Sequence, residues 1–143
     1  MPTPNELDIA EDALSTHGFR NIERLAKGSA AFSNLLATDA SGTKFAISVR
    51  GCGQVGDADG SLHLKGEKDT CESLAKRDET TFTARAAWLV VWHRADAKGL
   101  IAGEVAFGIF ADLPKSDGSR YRVMIEKNGN ILDSKWKQDI PAR

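Results

Sequence analysis

Residues 32–51 read FSNLLATDASGTKFAISVRG, two mostly apolar runs separated by a polar turn. Residues 39–42, Asp-Ala-Ser-Gly, have turn chemistry, because Asp and Ser bond to nearby backbone groups and Gly adopts left-handed conformations easily. The two runs therefore predict strands at residues 32–38 and 44–50, joined as an antiparallel hairpin.

The side chains of the second strand alternate between two faces of the sheet. One face is apolar, with Phe45, Ile47 and Val49, and the other carries Ala46, Ser48 and Arg50. The apolar face predicts contact with the protein core. Ser48 and Arg50 are two positions apart, so both point away from that core face.

A helix is predicted at residues 4–17, before the hairpin. Thr3 can cap its start, Pro4 suits the first helical position, and Glu6 completes a capping box. Gly18 is expected to end the helix in a left-handed conformation. Apolar residues recur at helical spacing, so one face should pack on the core: Leu7, Ala10 and Leu14.

The rest of the chain predicts further elements of a mixed sheet. The expected elements are a weak strand at 22–25, a surface loop at 51–68, a polar helix at 69–84, and strands at 86–92 and 104–110. The strand at 86–92 is almost wholly apolar, which is typical of a strand buried on both faces.

A C-terminal hairpin is predicted around Asn128-Gly129, a strong short-range hairpin signal that should return a last strand at residues 131–136. With the other elements, this indicates an α/β fold of the α+β type. We expect a single domain of residues 1–143, built on a mixed sheet of about five or six strands.

The composition is that of an ordinary globular protein, with 41% hydrophobic and 27% charged residues and a formal net charge of −1. Nucleic-acid binding would therefore require a local basic surface. Cys52 and Cys71 form no CxxC motif, and no apolar run approaches the ~20 residues that cross a bilayer. We expect a cytoplasmic protein with no membrane partner.

Two short patterns mimic ligand sites. The glycines of residues 51–56 spell GxGxxG, but no helix start follows them, which favours a plain loop over a dinucleotide site. Cys52, His63 and Cys71 match no zinc-module spacing. No cofactor is expected from either pattern.

The order of helix, hairpin and strand resembles the core of the PD-(D/E)XK nuclease superfamily. In that superfamily a helix carries a Glu, a strand beginning Asp-Leu-Leu supplies a metal ligand, and a hairpin leads to a strand with the pattern (Asp/Glu/Gln)-x-Lys. The matching segments here are the first helix, residues 32–39 and residues 44–51. The resemblance implies a restriction-endonuclease-like core with an N-terminal helix, and the predicted C-terminal hairpin is an addition to that core.

The same resemblance implies a catalytic site whose residues have been substituted. The matching positions are Glu11 or Glu6 on the helix, and Asn34, Ser48 and Arg50 on the strands. In the superfamily, carboxylates hold Mg²⁺ and a Lys stabilises developing charge. Asn34 is a neutral oxygen ligand, Ser48 carries no charge, and Arg50 is a poor proton-transfer group. We expect neither a metal site nor cleavage.

The resemblance then favours a catalytically degenerate nuclease-like domain that binds nucleic acid, with DNA as one candidate, or a protein. Basic side chains near the hairpin are the expected phosphate contacts. They are Arg24, Lys27, Lys44 and Arg50.

Two alternatives stay open. One is an active Mg²⁺-dependent DNA endonuclease in which Asp39, Glu67 or Lys68 has replaced a missing group. The other is a small immunity- or inhibitor-type interaction protein, which a near-neutral domain without catalytic residues would fit. The sequence does not identify the substrate, the partner, the pathway or the oligomeric state.

Overall fold

The N-terminal helix is the first element of the computed structural model, which describes residues 4–26, 31–52, 60–64, 71–95, 101–113, 115–117, 120–125, 131 and 133–140. Helix α1 spans Pro4–Thr16. Gly18 ends it with a φ of 85°. The Phe19 N–H donates to the Leu14 carbonyl at 3.0 Å, and the Gly18 N–H donates to the Ser15 carbonyl at 3.1 Å. These bonds form a Schellman motif, which confirms the predicted glycine stop.

Six strands form one mixed sheet in the spatial order β1-β2-β3-β5-β6-β9. Its strands are β1 (Arg20–Arg24), β2 (Leu35–Thr38), β3 (Lys44–Cys52), β5 (Arg85–Ala95), β6 (Ile101–Ile109) and β9 (Trp136–Ile140). Strands β3 and β5 are parallel, and the other neighbouring pairs are antiparallel. The β2–β3 pair, with Leu36 opposite Ala46, is the predicted hairpin.

A second layer covers the opposite face of this sheet from α1. It contains a three-stranded sheet in the order β4-β8-β7, helix α2 and a short 3-10 helix. These elements are β4 (Gly60–Leu64), α2 (Cys71–Phe82), the 3-10 helix Phe110–Asp112, β7 (Lys115–Asp117) and β8 (Arg120–Ile125).

Alternation along the strands divides the core into two clusters, one on each side of the large sheet. The α1 side contains Ala10, Ala13, Leu14, Phe19, Leu35, Phe45, Ile47, Val49, Leu89 and Phe107. The α2 side contains Ala75, Trp88, Val90, Trp92, Phe110, Val123 and Ile131. The central strand β5 contributes to both clusters, as its apolar sequence predicted.

The predicted loop at 51–68 contains strand residues at both of its described stretches. Strand β3 continues to Cys52, and residues 60–64 form β4, which pairs with β8. The glycine and aspartate content obscured a strand whose pairing partner lies about sixty residues further along the chain. Residues 53–59 and 65–70 lie outside the described residues.

The predicted turn at Asn128-Gly129 lies outside the described residues, and the last strand does not pair with β8 as predicted. The C-terminal hairpin is formed by β7 and β8, with Asp117 opposite Arg120. The last strand, β9, joins the other sheet and pairs with β6, so β8 and β9 are not neighbours. Among the described residues, no helix is long and apolar enough to cross a membrane.

Candidate functional site

Asn34 and Arg50 meet where β2 begins, at the open end of the hairpin, which we call the hairpin mouth and define by Phe32, Asn34, Ser48 and Arg50. The Asn34 N–H donates to the Ile47 carbonyl at 2.8 Å, which extends the β2–β3 pairing by one step. Its side-chain Oδ1 accepts from the Val49 N–H at 2.8 Å and from Arg50 Nη1 at 3.1 Å. The amide oxygen of Asn34 is therefore already engaged by two donors.

Arg50 is held against the hairpin by several contacts. Its Nη1 also donates to the Val49 carbonyl at 2.8 Å, and the guanidinium carbon lies 5.1 Å from the centroid of the Phe32 ring. Stacking of a guanidinium on an aromatic face is favourable, and Arg makes such contacts more often than Lys. Arg50 has further contacts besides these. The side chain thus lies across the mouth as a fixed positive charge.

Ser48 lies on the same strand face as Arg50 but is sealed from solvent. Its exposed fraction is 0%, its strand partner in β5 is Trp88, and its hydroxyl has no hydrogen-bond partner. The indole of Trp88 reaches across to β6, where a Cβ atom added at Gly108 would overlap it. The position that the sequence matched to an acid of the motif is therefore buried in the α2-side core.

Asp78 of α2 fixes the chain just before Asn34. This carboxylate is 1% exposed and accepts from the Ser33 N–H at 2.7 Å and from the Ser33 hydroxyl at 2.8 Å. The sequence predicted a polar helix at residues 69–84 without singling out Asp78. The missed signal is helical spacing, since Asp78 follows Leu74 by four positions and therefore shares its half-buried face.

The two candidate helix carboxylates occupy different places. Glu11 forms an ion pair with Arg24, which also binds Asp8 at 2.5 Å. Glu6 lies beside β3, where a Cβ atom at Gly51 would overlap its carboxylate. Glu6, not Glu11, is thus the helix carboxylate next to the strand that carries Ser48 and Arg50.

The predicted phosphate contacts do not converge. The guanidinium of Arg24 donates hydrogen bonds to Glu11 and Asp8, and these bonds raise the pKa of Arg24 above its usual value. Lys44 is exposed at the turn end of β3, six residues or about 20 Å along the strand from Arg50. Lys27 lies outside the described residues. Among the three described members of the set, Arg50 alone lies at the hairpin mouth.

Asp39 does not supply a replacement ligand. It lies at the far end of the hairpin, where its Oδ1 accepts from the Ser41 N–H, the Ser41 hydroxyl and the Thr43 N–H at 2.8–3.0 Å. Slight burial acts to raise the pKa of Asp39, but these hydrogen bonds together lower it by more. Its carboxylate serves the turn. Glu67 and Lys68 lie outside the described residues.

The hairpin mouth does not fit Mg²⁺. This ion requires several oxygen ligands, and carboxylates offset the loss of its tightly held water. Of the matching positions, only Glu6 carries a carboxylate, the Asn34 oxygen is engaged, and Arg50 adds a positive charge. The residues that the structure describes contain no cluster of three or more groups able to hold a metal.

Comparison with known proteins finds similarity to solved structures. No protein-family profile and no curated protein matches the chain. Among solved structures, the chain is similar to Hjc, a Holliday junction resolvase from the archaeal hyperthermophile Archaeoglobus fulgidus, with a TM-score of 0.60 and 16% sequence identity. The similarity covers 85% of this chain and 88% of the resolvase chain, far beyond the hairpin region. The chain therefore has a restriction-endonuclease-like fold, which confirms the predicted fold class.

Proposed function

We propose that this chain is a non-cleaving nuclease-like domain that binds nucleic acid. The observation that carries the proposal is the bond between Arg50 and Asn34, the two positions where the superfamily has a Lys and a metal-binding Asp. The guanidinium of Arg50 is hydrogen-bonded directly to the amide oxygen of Asn34, so it occupies the place next to that oxygen. The pair is suited to an anion and not to a divalent cation.

The charges at the hairpin mouth favour loss of metal binding over a metal site rebuilt from other ligands. Replacing Asp by Asn and an acid by Ser removes two negative charges from the motif positions. Arg50 keeps its positive charge at any physiological pH, so it repels a cation at the same place. Glu6 alone would have to offset both the repulsion and the dehydration of Mg²⁺.

Nucleic acid is the partner that the fold and the Arg50 guanidinium together favour. Hjc, whose chain is similar over most of its length, is a Holliday junction resolvase. A guanidinium matches the geometry of a phosphate group and can bind it through two donors. Because the net charge is −1, we expect modest affinity that falls steeply with salt.

The decisive experiment measures cleavage and binding by the same protein. Supercoiled plasmid and a synthetic four-way junction are incubated with the protein in Mg²⁺ or Mn²⁺, and junction binding is followed by fluorescence anisotropy at several salt concentrations. We expect no nicking, binding at low salt, and a several-fold loss of affinity in Arg50→Gln. That variant should reduce the salt slope by about one phosphate contact.

Arg85→Gln is the matched control, because Arg85 is exposed at the turn end of the same sheet and loses the same charge. Its affinity should change less than about twofold if binding is local to the mouth. Metal-dependent nicking by the parent protein would contradict the proposal that the domain does not cleave. Absence of binding even at low salt would instead exclude nucleic acid and leave a protein partner, as in an immunity- or inhibitor-type role.

A further inference from the structure

The edge strand β9 has a charge pattern that complements itself. It reads Trp136-Lys137-Gln138-Asp139-Ile140 and pairs with β6 along one side only. Among the described strands, none lies on its other side. Lys137 and Asp139 are both exposed and point to the same face of the sheet. We propose that β9 pairs antiparallel with β9 of a second copy of this chain, and this proposal does not depend on the proposed function.

Of the registers centred on a residue of β9, only the one centred on Gln138 brings opposite charges together without also placing like charges opposite each other. With Gln138 opposite its own mate, Lys137 lies opposite Asp139 of the second copy, and the reverse pair forms by symmetry. A shift of the two-fold axis to residue 137 or 139 would place two lysines or two aspartates directly opposite each other. Directly opposed like charges destabilise a strand pair, whereas opposite charges stabilise it.

The other edge of the sheet lacks this property. Strand β1 has a bulge between Arg20 and Glu23, and Asn21 has a φ of 55°. Antiparallel pairing about Ile22 would oppose Arg20 and Arg24, two like charges. Bulges and unmatched charges are the features by which proteins blunt exposed edges. A Lys alone in β9 would discourage pairing of this edge. Asp139, two positions after Lys137, instead gives that Lys an oppositely charged partner in a second copy.

The affinity should be modest, because five residues bury little area. Pro141 follows β9 in the sequence and has no N–H to donate, so it adds no donor to the ladder. Interfaces of less than about 1,000 Å² are typically weak or transient. A monomer–dimer equilibrium that depends on protein concentration is therefore the expected behaviour.

Charge reversal and charge exchange test the proposal together. Sedimentation velocity is measured from about 1 µM to about 1 mM, the range in which weak dimers form. Lys137→Glu and Asp139→Lys should each weaken dimerisation by about tenfold, because two symmetric attractions become repulsions. Their net charges change in opposite directions, so a general charge effect cannot explain a shared loss. The double variant K137D/D139K restores the pattern and should recover dimerisation to within about threefold.

Glu23→Lys on β1 is the matched control, since it reverses an exposed charge on the opposite edge and should leave the equilibrium unchanged. Folding of the double variant is checked by thermal unfolding, because Lys137 and Asp139 both act on nearby Glu104. The burial of Glu104 raises its pKa, and Lys137 opposes that rise. A parent protein that stays monomeric throughout, or a dimer indifferent to both single reversals, would overturn the proposal.

A cysteine at the two-fold axis gives a second test that needs no charge change. Directly opposed residues in an antiparallel pair have Cα atoms about 4.5–5.5 Å apart, within the range of a disulfide. Gln138→Cys should therefore form a covalent dimer on mild oxidation, and Trp136→Cys should not, since its mates would lie more than about 10 Å apart. The parent protein, which contains Cys52 and Cys71, measures the background. A dimer in which Gln138→Cys does not crosslink is formed elsewhere, and the proposal fails.

Discussion

The two ends of the β2–β3 hairpin differ in where their negative charge lies. At the turn, Asp39 is a carboxylate whose Oδ1 accepts three hydrogen bonds from Ser41 and Thr43. At the mouth, the corresponding polar side chain is the neutral Asn34, bonded to Val49 and Arg50. The turn end thus retains a structural acid, whereas the end that would carry chemistry has none on either strand.

The comparison shows that the structure of the hairpin does not depend on negative charge at its mouth. The frame depends on backbone pairing, on apolar residues of both cores and on Asp78, which holds Ser33 from outside the hairpin. None of these requires an acid at the mouth. Under the proposed function, substitution of the motif residues removes the cleavage chemistry while the fold remains.

The largest change in stability should come from placing an acid at position 48. Ser48 is 0% exposed, so Ser48→Glu should reduce the free energy of unfolding by about 3–5 kcal/mol through burial of a charge. Ser48→Gln, nearly equal in size, should cost clearly less and so isolates the charge. Ser48→Ala should change stability by less than about 0.5 kcal/mol, because the lost hydroxyl has no partner. Chemical denaturation measures all three, and a stable Ser48→Glu protein would show that the mouth opens to admit the side chain.

A smaller loss of stability is expected from removing Asp78, which holds Ser33 next to the mouth. Asp78→Ala should cost about 2–4 kcal/mol, because the buried Ser33 N–H and hydroxyl lose their acceptor. Asp78→Asn keeps an acceptor oxygen at the same place and should cost only about 1 kcal/mol. Equal losses in the two variants, measured by urea unfolding, would mean that the charge of Asp78 matters and not its hydrogen bonds.

The smallest effect should occur at the turn, and it should depend on pH. The folded pKa of Asp39 is lowered from its ordinary value of 3.8, so its carboxylate stabilises the fold above that pH. This contribution is lost as pH falls through the lowered folded pKa. Asp39→Asn should therefore be less stable than the parent at pH 7, by less than about 1 kcal/mol, and equally stable near pH 2. A difference in stability that is constant with pH would contradict the ionic role of Asp39.

Local chemistry explains which elements could be predicted. The helix at Pro4–Thr16, its stop at Gly18 and the β2–β3 hairpin all depend on residues close in sequence. The failures involve distant partners. Strand β4 pairs with β8, and β9 pairs with β6 instead of completing a hairpin at Asn128-Gly129. Strand pairing over such separations leaves little trace in a local pattern.

The sequence by itself predicts that Asn34, Ser48 and Arg50 replace the two acids and the lysine of the nuclease motif. Only the tertiary structure decided what those replacements do. It buries Ser48 beneath the α2-side core, bonds Arg50 to Asn34, and chooses Glu6 over Glu11 as the carboxylate beside β3. The physical reason is that charge is a property of each residue, whereas burial and hydrogen bonding belong to pairs of residues brought together by the fold.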